Sequence, residues 1–294
     1  MNERKKNIIS IYDNESRKRW GNLPEIICKT AEKYNLSDLE PVNNMAFNYV
    51  TSGYRSEKPI ILKLGLDNEA LMLETTALKC FYGYGAIKVL AEDKGMLLLE
   101  RALPGITLKS YFPTRERESI EIACRVMQKL HKARIPESHG LPHVKDRLAA
   151  LDKDLQIPFD YLNRARKLRD RLLETAGPDV LLHGDLHHDN ILQYGNDWSV
   201  IDPKGVIGDA AYEAAVFIIN PMPELLNIDN PLGIIQNRIE CFASLLDIPA
   251  KRIFDCCFVQ AVLCWIWALE DGCDTGYFRA LIKLLERINI NRKI

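Results

Sequence analysis

The pattern of apolar and polar positions changes character about a third of the way along the chain. Before that point, short apolar runs are separated by turn-forming residues. Residues 47–51 and 60–64 read as strands around the charged turn 54–59, and residues 86–91 and Met96–Glu100 as a second pair joined by Glu92-Asp93-Lys94-Gly95. Between the pairs, residues 68–81 are helical in pattern. A leading segment, 1 to about 35, is mainly helical, with Leu23, Ile26, Ile27, Ala31 and Tyr34 at helical spacing and Pro24 suited to a first turn. From Arg115 onward helical spacing prevails. Ile120, Ala123, Cys124, Met127, Leu130 and His131 share one stripe, residues 161–176 form a basic helix, 209–218 a short one, and 231–292 three more. One stretch interrupts the helices. Val180–Leu182, then residues 191–192 and 198–201 joined through Tyr194-Gly195-Asn196-Asp197, read as a strand followed by a hairpin.

Composition narrows the setting. A chain of 294 residues is close to the size at which one core divides, and the change of pattern puts the division near Arg101, giving lobes 1–101 and 102–294 in an α+β arrangement. Hydrophobic content of 47% and charged content of 27% are those of an ordinary globular chain. A formal net charge of −1, without a basic stripe, argues against nucleic acid as a partner. Cys28, Cys80, Cys124, Cys241 and Cys264 fall in apolar, helix-like stretches with no C-x-x-C pair, the pattern of reduced, buried thiols in a cytoplasm. The charged N-terminus lacks a secretory apolar core. The most apolar stretch, residues 254–269, is short for a bilayer and contains Asp255 and Gln260, so no membrane partner is expected. The basic run Arg164, Arg166, Lys167, Arg169, Arg171 reads as a solvated face, and His131 as a core histidine.

The chemistry concentrates at the interruption. His183-Gly184-Asp185-Leu186-His187-His188-Asp189-Asn190, then Asp202-Pro203-Lys204-Gly205, set Asp185 on a loop, Asn190 near its end and Asp202 just past the hairpin. Three oxygen-bearing side chains so spaced suit phosphoryl transfer. Asn190 and Asp202 would hold magnesium, a hard cation that takes few protein carboxylates, leaving Asp185 to orient a hydroxyl and accept its proton. The kinase catalytic loop distributes these roles at the same spacing. His183, His187 and His188 also invite a zinc reading, but no cysteine lies near to complete a tetrahedron. Lys63 stands inside an apolar strand, where its ammonium needs an anion or a route to water. On an edge strand it would point outward. In a kinase it grips nucleotide phosphates, paired with a glutamate of the following helix, here Glu69 or Glu74.

Gly for Arg before Asp185, and Pro-Lys for Phe after Asp202, depart from protein kinases. The H-G-D-x-H-x-x-N form of residues 183–190, the block 201–205 and Gly208-Asp209-Ala210-Ala211-Tyr212-Glu213 resemble the aminoglycoside phosphotransferase family, in the streptomycin 6-phosphotransferase branch grouped with hydroxyurea-resistance kinases. The resemblance implies a bilobal protein-kinase-like fold, with a small β-rich lobe and a mostly helical one. It also implies magnesium-dependent transfer of the γ-phosphoryl of ATP, or of GTP, to a hydroxyl of a cationic aminoglycoside, streptomycin first. Another small alcohol such as hydroxyurea or a metabolite is the alternative acceptor, and a non-catalytic nucleotide-binding protein the reading from another class. Glu74-Thr75-Thr76-Ala77-Leu78 resembles the family's E-x-x-A-L, which selects Glu74. Residues 97–105 resemble the inter-lobe linker, in which backbone groups of Glu100 and Ala102 would hold the purine edge. Residues 43–48, where protein kinases carry a glycine-rich loop, contain no glycine and leave Asn44, Ala46 and Asn48 to serve. Asp209 and Glu213 are either scaffold caps or part of a cationic-substrate site. Glu270 and Asp271 belong to a string, 265–274, that resembles the streptomycin-kinase segment ending in L-E-D-G. There they would meet the guanidinium groups of streptomycin.

Overall fold

The computed structural model describes residues 21–42, 48–65, 67–137 and 140–288. The expected helical lead before residue 21, and residues 43–47 of the glycine-free loop, lie outside them. In the first lobe, α1 (Leu23–Tyr34) precedes β1 (Leu36–Pro41), β2 (Asn48–Arg55), β3 (Lys58–Gly65), α2 (Asn68–Cys80), β4 (Val89–Asp93) and β5 (Met96–Glu100). The strands form one antiparallel sheet in the order β1-β2-β3-β5-β4. Strand β1 escapes the sequence pattern because its register shifts between Ser37 and Glu40, so Leu36 and Leu39 do not alternate. Strands β2 and β3 turn on Ser56 and Glu57, both at positive φ (47° and 65°), the backbone that matches strand twist in a two-residue hairpin.

Period-two alternation sorts the faces of β3. Ile60, Leu62 and Leu64 pack with Met96 and Leu98 beneath Leu23, Ile26, Ile27 and Tyr34 of α1. Lys63 lies on the opposite face, the one shared by Leu97, Leu99 and the Leu71 and Leu78 side chains of α2. It pairs between Val50 and Leu97, in a central strand rather than at an edge.

The second lobe follows with β6 (Pro104–Thr107), which stands outside that sheet and pairs with β8 (Ile191–Tyr194), itself in a hairpin with β9 (Asp197–Val200). Strand β7 (Val180–Leu182) pairs with β10 (Val206–Gly208). Seven helices complete the lobe among the described residues: α3 (Glu116–Leu130), α4 (Val144–Leu148), α5 (Phe159–Glu174), α6 (Ala211–Ile218), α7 (Pro231–Leu246), α8 (Ala250–Glu270) and α9 (Gly276–Leu285). Behind the cleft the lobes are stitched by Val200, whose N–H donates to the Gly85 carbonyl at 2.8 Å and whose carbonyl accepts from Ile87 at 3.2 Å. This is the bilobal protein-kinase-like fold.

Three expectations change. Helix α8 spans 21 residues with a mean hydropathy of 1.6 in its most apolar window, so it is long enough to cross a bilayer; 72% of that window is buried inside the protein. It is the core helix against which α5, α6, α7 and α9 pack. Cys28 is exposed on α1, although all eight thiols are free. The basic face of α5 is tied into the lobe: Arg166 donates to the Leu151 carbonyl at 2.8 Å, Arg169 to Asp152 at 2.7 Å, and Arg171 to the buried Asp255.

Candidate active site

Glu74 lies on the buried face of α2 with Leu71 and Leu78, one helical turn from each, and so points at β3. Its Oε2 accepts from Lys63 Nζ at 2.7 Å, while Asp202 Oδ1 accepts from the same ammonium at 3.0 Å from the second lobe. Glu69 is exposed on the far side of the helix. Lys63 and Glu74 are only 4% and 6% exposed. Burial works against the Lys63 ammonium, but Asp202 and Glu74 outweigh it and hold its pKa above the ordinary lysine value. Burial raises the Glu74 carboxyl in spite of Lys63. Burial pushes Asp202 up as well, but Lys63 prevails there and leaves that carboxyl below its usual range. Asp202 has a φ of 57°, a left-handed backbone that aspartate tolerates better than most residues.

The loop carrying Asp185 has little regular structure, and its order comes from named partners. Glu213, 1% exposed on α6, accepts from the N–H of His183 at 2.5 Å and of Gly184 at 3.0 Å. The His183 carbonyl accepts from Lys204 at 2.7 Å and Gly205 at 3.2 Å. The His183 ring meets the Ile201 carbonyl with Nε2 at 2.8 Å, and the Asp185 N–H donates to Nδ1 at 3.3 Å. Together these contacts select the neutral tautomer with its proton on Nε2, and burial lowers the pKa to match. Asn190 Nδ2 donates to the Asp185 carbonyl at 2.9 Å, and the Ile201 N–H donates to the Asn190 carbonyl at 3.1 Å. Asp185, Asn190 and Asp202 are thereby tied to one another through residues 183 and 201. The Asp185 carboxylate itself faces outward, 37% exposed, with His187 Nε2 at 3.8 Å.

The glycine that replaces arginine before Asp185, and the glycine kept after Asp202, each have a steric reason. Gly184 and Gly205 sit at φ 78° and 59°. A Cβ on Gly184 would meet Val206 Cγ2 at 2.7 Å, and one on Gly205 would meet Ala77 Cβ at 2.8 Å.

Asp209 and Glu213, left by the sequence between scaffold and substrate, both turn inward. The contacts favour the scaffold alternative over acceptor binding: Glu213 spends both oxygens on the loop amides. Asp209 accepts from the Gly177 and Ala211 N–H groups and from Arg252 Nη2 at 2.8 Å. Burial works against its charge, yet these donors hold the carboxyl below its ordinary value. Glu270, at the end of α8, pairs with Lys153, and Asp271 is exposed beside it. Neither touches the Asp185 loop among the described residues. His183 and His188 are fully buried, and His188 stacks on Phe217 at 4.0 Å and accepts from Arg238 at 3.3 Å. Among the described residues no group of three His, Cys, Asp or Glu is gathered around a metal position.

Two residues close to the site carry no local signal in the sequence. Arg147 of α4 donates from Nη1 to the Gly184 carbonyl at 3.0 Å. Arg238 of α7, 0% exposed, binds Glu116 at 2.5 Å and the last carbonyls of α6. At the linker, the Glu100 side chain accepts from the Lys88 N–H at 2.6 Å and the Tyr194 hydroxyl at 3.1 Å. Ala102 is 6% exposed, and its N–H has no acceptor among the described residues. The donor set of Asp202 carboxylate and Asn190 Oδ1, beside a buried ammonium, fits a hard divalent cation and a polyanion.

Residues 49–272 match the family described as aminoglycoside/hydroxyurea antibiotic resistance kinase. The chain belongs to that family. It is 29% identical over 196 residues to a streptomycin 3''-kinase of Klebsiella pneumoniae, covering 65% of this chain and 73% of the relative. It is 28% identical over 220 residues to a hydroxyurea phosphotransferase of Kitasatospora aureofaciens, covering 72% of this chain but 62% of the relative. A streptomycin 6-kinase of Streptomyces glaucescens is 24% identical over 226 residues, covering 72% and 71%. Among solved structures, aminoglycoside phosphotransferase APH(4)-Ia in a ternary complex with ADP and hygromycin B superposes with a TM-score of 0.70 at 15% identity, over 90% of this chain and 98% of that one. Choline kinase LicA from Streptococcus pneumoniae gives 0.68 at 18% identity, over 91% and 100%. This family member is therefore a small-molecule kinase.

Proposed function

We propose that this kinase transfers the γ-phosphoryl group of ATP to a hydroxyl of a cationic aminoglycoside, streptomycin first among them, in a magnesium-dependent cytoplasmic reaction. The observation that carries the reading is Lys63 held between Glu74 and Asp202, with Asn190 and Asp185 reached through residues 201 and 183. Lys63, steadied by Glu74, grips the nucleotide phosphates, and the backbone of Glu100 and Ala102 holds the purine edge. Asn190 and Asp202 would hold magnesium, which when bound neutralises phosphate charge. Asp185 takes the proton of the acceptor hydroxyl as its oxygen bonds to the γ-phosphorus. The bond from that phosphorus to the β–γ bridging oxygen breaks, and ADP leaves. Glu270 and Asp271 are the carboxylates left to meet a guanidinium of the acceptor.

The relative named hydroxyurea phosphotransferase supports a second acceptor of quite different size. The test is a transfer assay over a panel of aminoglycosides and hydroxyurea, with ATP and GTP in parallel and the product's phosphate located by NMR. Phosphorylated streptomycin is the expected product. Transfer to hydroxyurea alone replaces the acceptor. No transfer, together with nucleotide hydrolysis indifferent to Asp185→Asn, ends the phosphotransfer reading.

A further inference from the structure

Where protein kinases place an arginine before the catalytic aspartate, this loop has Gly184, and a cation arrives from another element. We infer that Arg147 is a positioning residue for Asp185: its guanidinium, reaching from α4, fixes the peptide plane between Gly184 and Asp185 and so aims the carboxylate that takes the hydroxyl proton. The inference rests on the phosphotransfer reading above.

A peptide plane has two polar handles, and here they are the Gly184 carbonyl and the Asp185 N–H. The N–H is held by the His183 ring at 3.3 Å, while the carbonyl is held by Arg147 at 3.0 Å through a charge-assisted bond. Every other backbone polar group from His183 N to Gly184 N is tied by Glu213, Lys204 or Gly205, and the Asp185 carbonyl by Asn190. Gly184, without a side chain and at φ 78°, is the point where this loop rotates most freely. Arg147 closes that freedom.

The arginine is not spent elsewhere. Among the described residues it makes no ion pair, and the Gly184 carbonyl is its one hydrogen-bond acceptor. Its side chain lines a cavity of about 20 Å³ behind the loop, with Tyr212, Glu213, Gln260, Leu263 and Trp267. Burial pulls the guanidinium below its ordinary pKa while the charges of Asp185 and Glu213 oppose that pull. A guanidinium stays protonated through such a shift, so a positive charge faces the loop throughout.

The test compares the full chain with Arg147→Lys, Arg147→Met and Arg147→Ala in streptomycin phosphorylation by ATP. Misplacing a catalytic group by a fraction of its bond length is expected to lower kcat by about 10–100-fold in the Met and Ala variants, with KM for ATP unchanged. Added guanidinium ion should restore part of the loss in Arg147→Ala, where the vacated space can admit it, and none in Arg147→Met. Lysine, lacking the planar fork, should recover only a fraction. An unchanged kcat, or a loss shared equally by ATP affinity and deaf to guanidinium, overturns the inference. If the wild-type protein phosphorylates no acceptor, the proposed reaction fails instead, and hydrogen exchange decides about Arg147. Faster exchange confined to amides 183–186 in Arg147→Ala supports the role, and unaltered exchange there overturns it.

Discussion

Removing the carboxylate of Glu213 separates two readings of one residue. The sequence allowed it to be an acceptor-binding group; the structure spends both of its oxygens on the amides of His183 and Gly184, at 2.5 Å and 3.0 Å, in a position 1% exposed. Glu213→Ala leaves the buried His183 N–H and the partly buried Gly184 N–H without acceptors. Each such orphan costs roughly 1–3 kcal/mol, so the pair costs on the order of 4 kcal/mol. Glu213→Gln keeps one acceptor oxygen but turns an NH2 toward the second amide, for about half that loss. In a chain of this size 1 kcal/mol moves Tm by roughly 2–4 °C, so the alanine variant should melt on the order of 10 °C lower. Differential scanning calorimetry measures this directly, and kcat should fall with it because the freed loop carries Asp185. A Glu213→Gln variant with wild-type Tm and a raised KM for the acceptor alone would refute the reasoning and return Glu213 to the substrate.

The other expectations concern the groups around the cleft. Asp185→Asn should abolish most turnover, since a general base contributes roughly 10²–10⁴-fold, while nucleotide affinity by calorimetric titration stays near wild type; equal loss of both contradicts the assignment. Asp202→Asn should instead weaken magnesium–nucleotide binding itself, and an unchanged titration removes Asp202 as a ligand. Asp209, held below its ordinary pKa by its donors in spite of burial, contributes stability that is present above the unfolded aspartate value and is lost as pH falls through the lower folded value. The Tm of wild type should therefore fall more steeply than that of Asp209→Asn as the buffer is taken from pH 5 toward pH 3; parallel curves would show that its ion pair with Arg252 carries no net stability.

Much of this molecule is legible locally. The spacing of Asp185, Asn190 and Asp202, the strand character of Ile60-Ile61-Leu62-Lys63-Leu64 and the E-x-x-A-L of α2 are short-range patterns, and strand or helix periodicity alone says which side chains share a face. The choice of Glu74 over Glu69 rests on the likeness of residues 74–78 to the family's E-x-x-A-L, and the structure adds that Glu74 lies on the buried face with Leu71 and Leu78 whereas Glu69 is exposed. Strand β1 was hidden because a register shift destroys the alternation on which the reading depends.

What the chain's order of residues determined was the inventory and its rhythm: which oxygens stand on the loop, which lysine stands inside an apolar run, and where short strands give way to helices. What only the tertiary structure decided was allegiance. An acidic side chain reads the same whether it faces solvent, substrate or a backbone amide, and the difference lies in groups remote along the chain. Glu213 belongs to an amide 29 residues away, Asp209 to an arginine 43 residues away, and Gly184 to a guanidinium 37 residues away. Partners so distant leave no periodic trace, because packing selects them only after the helices have docked.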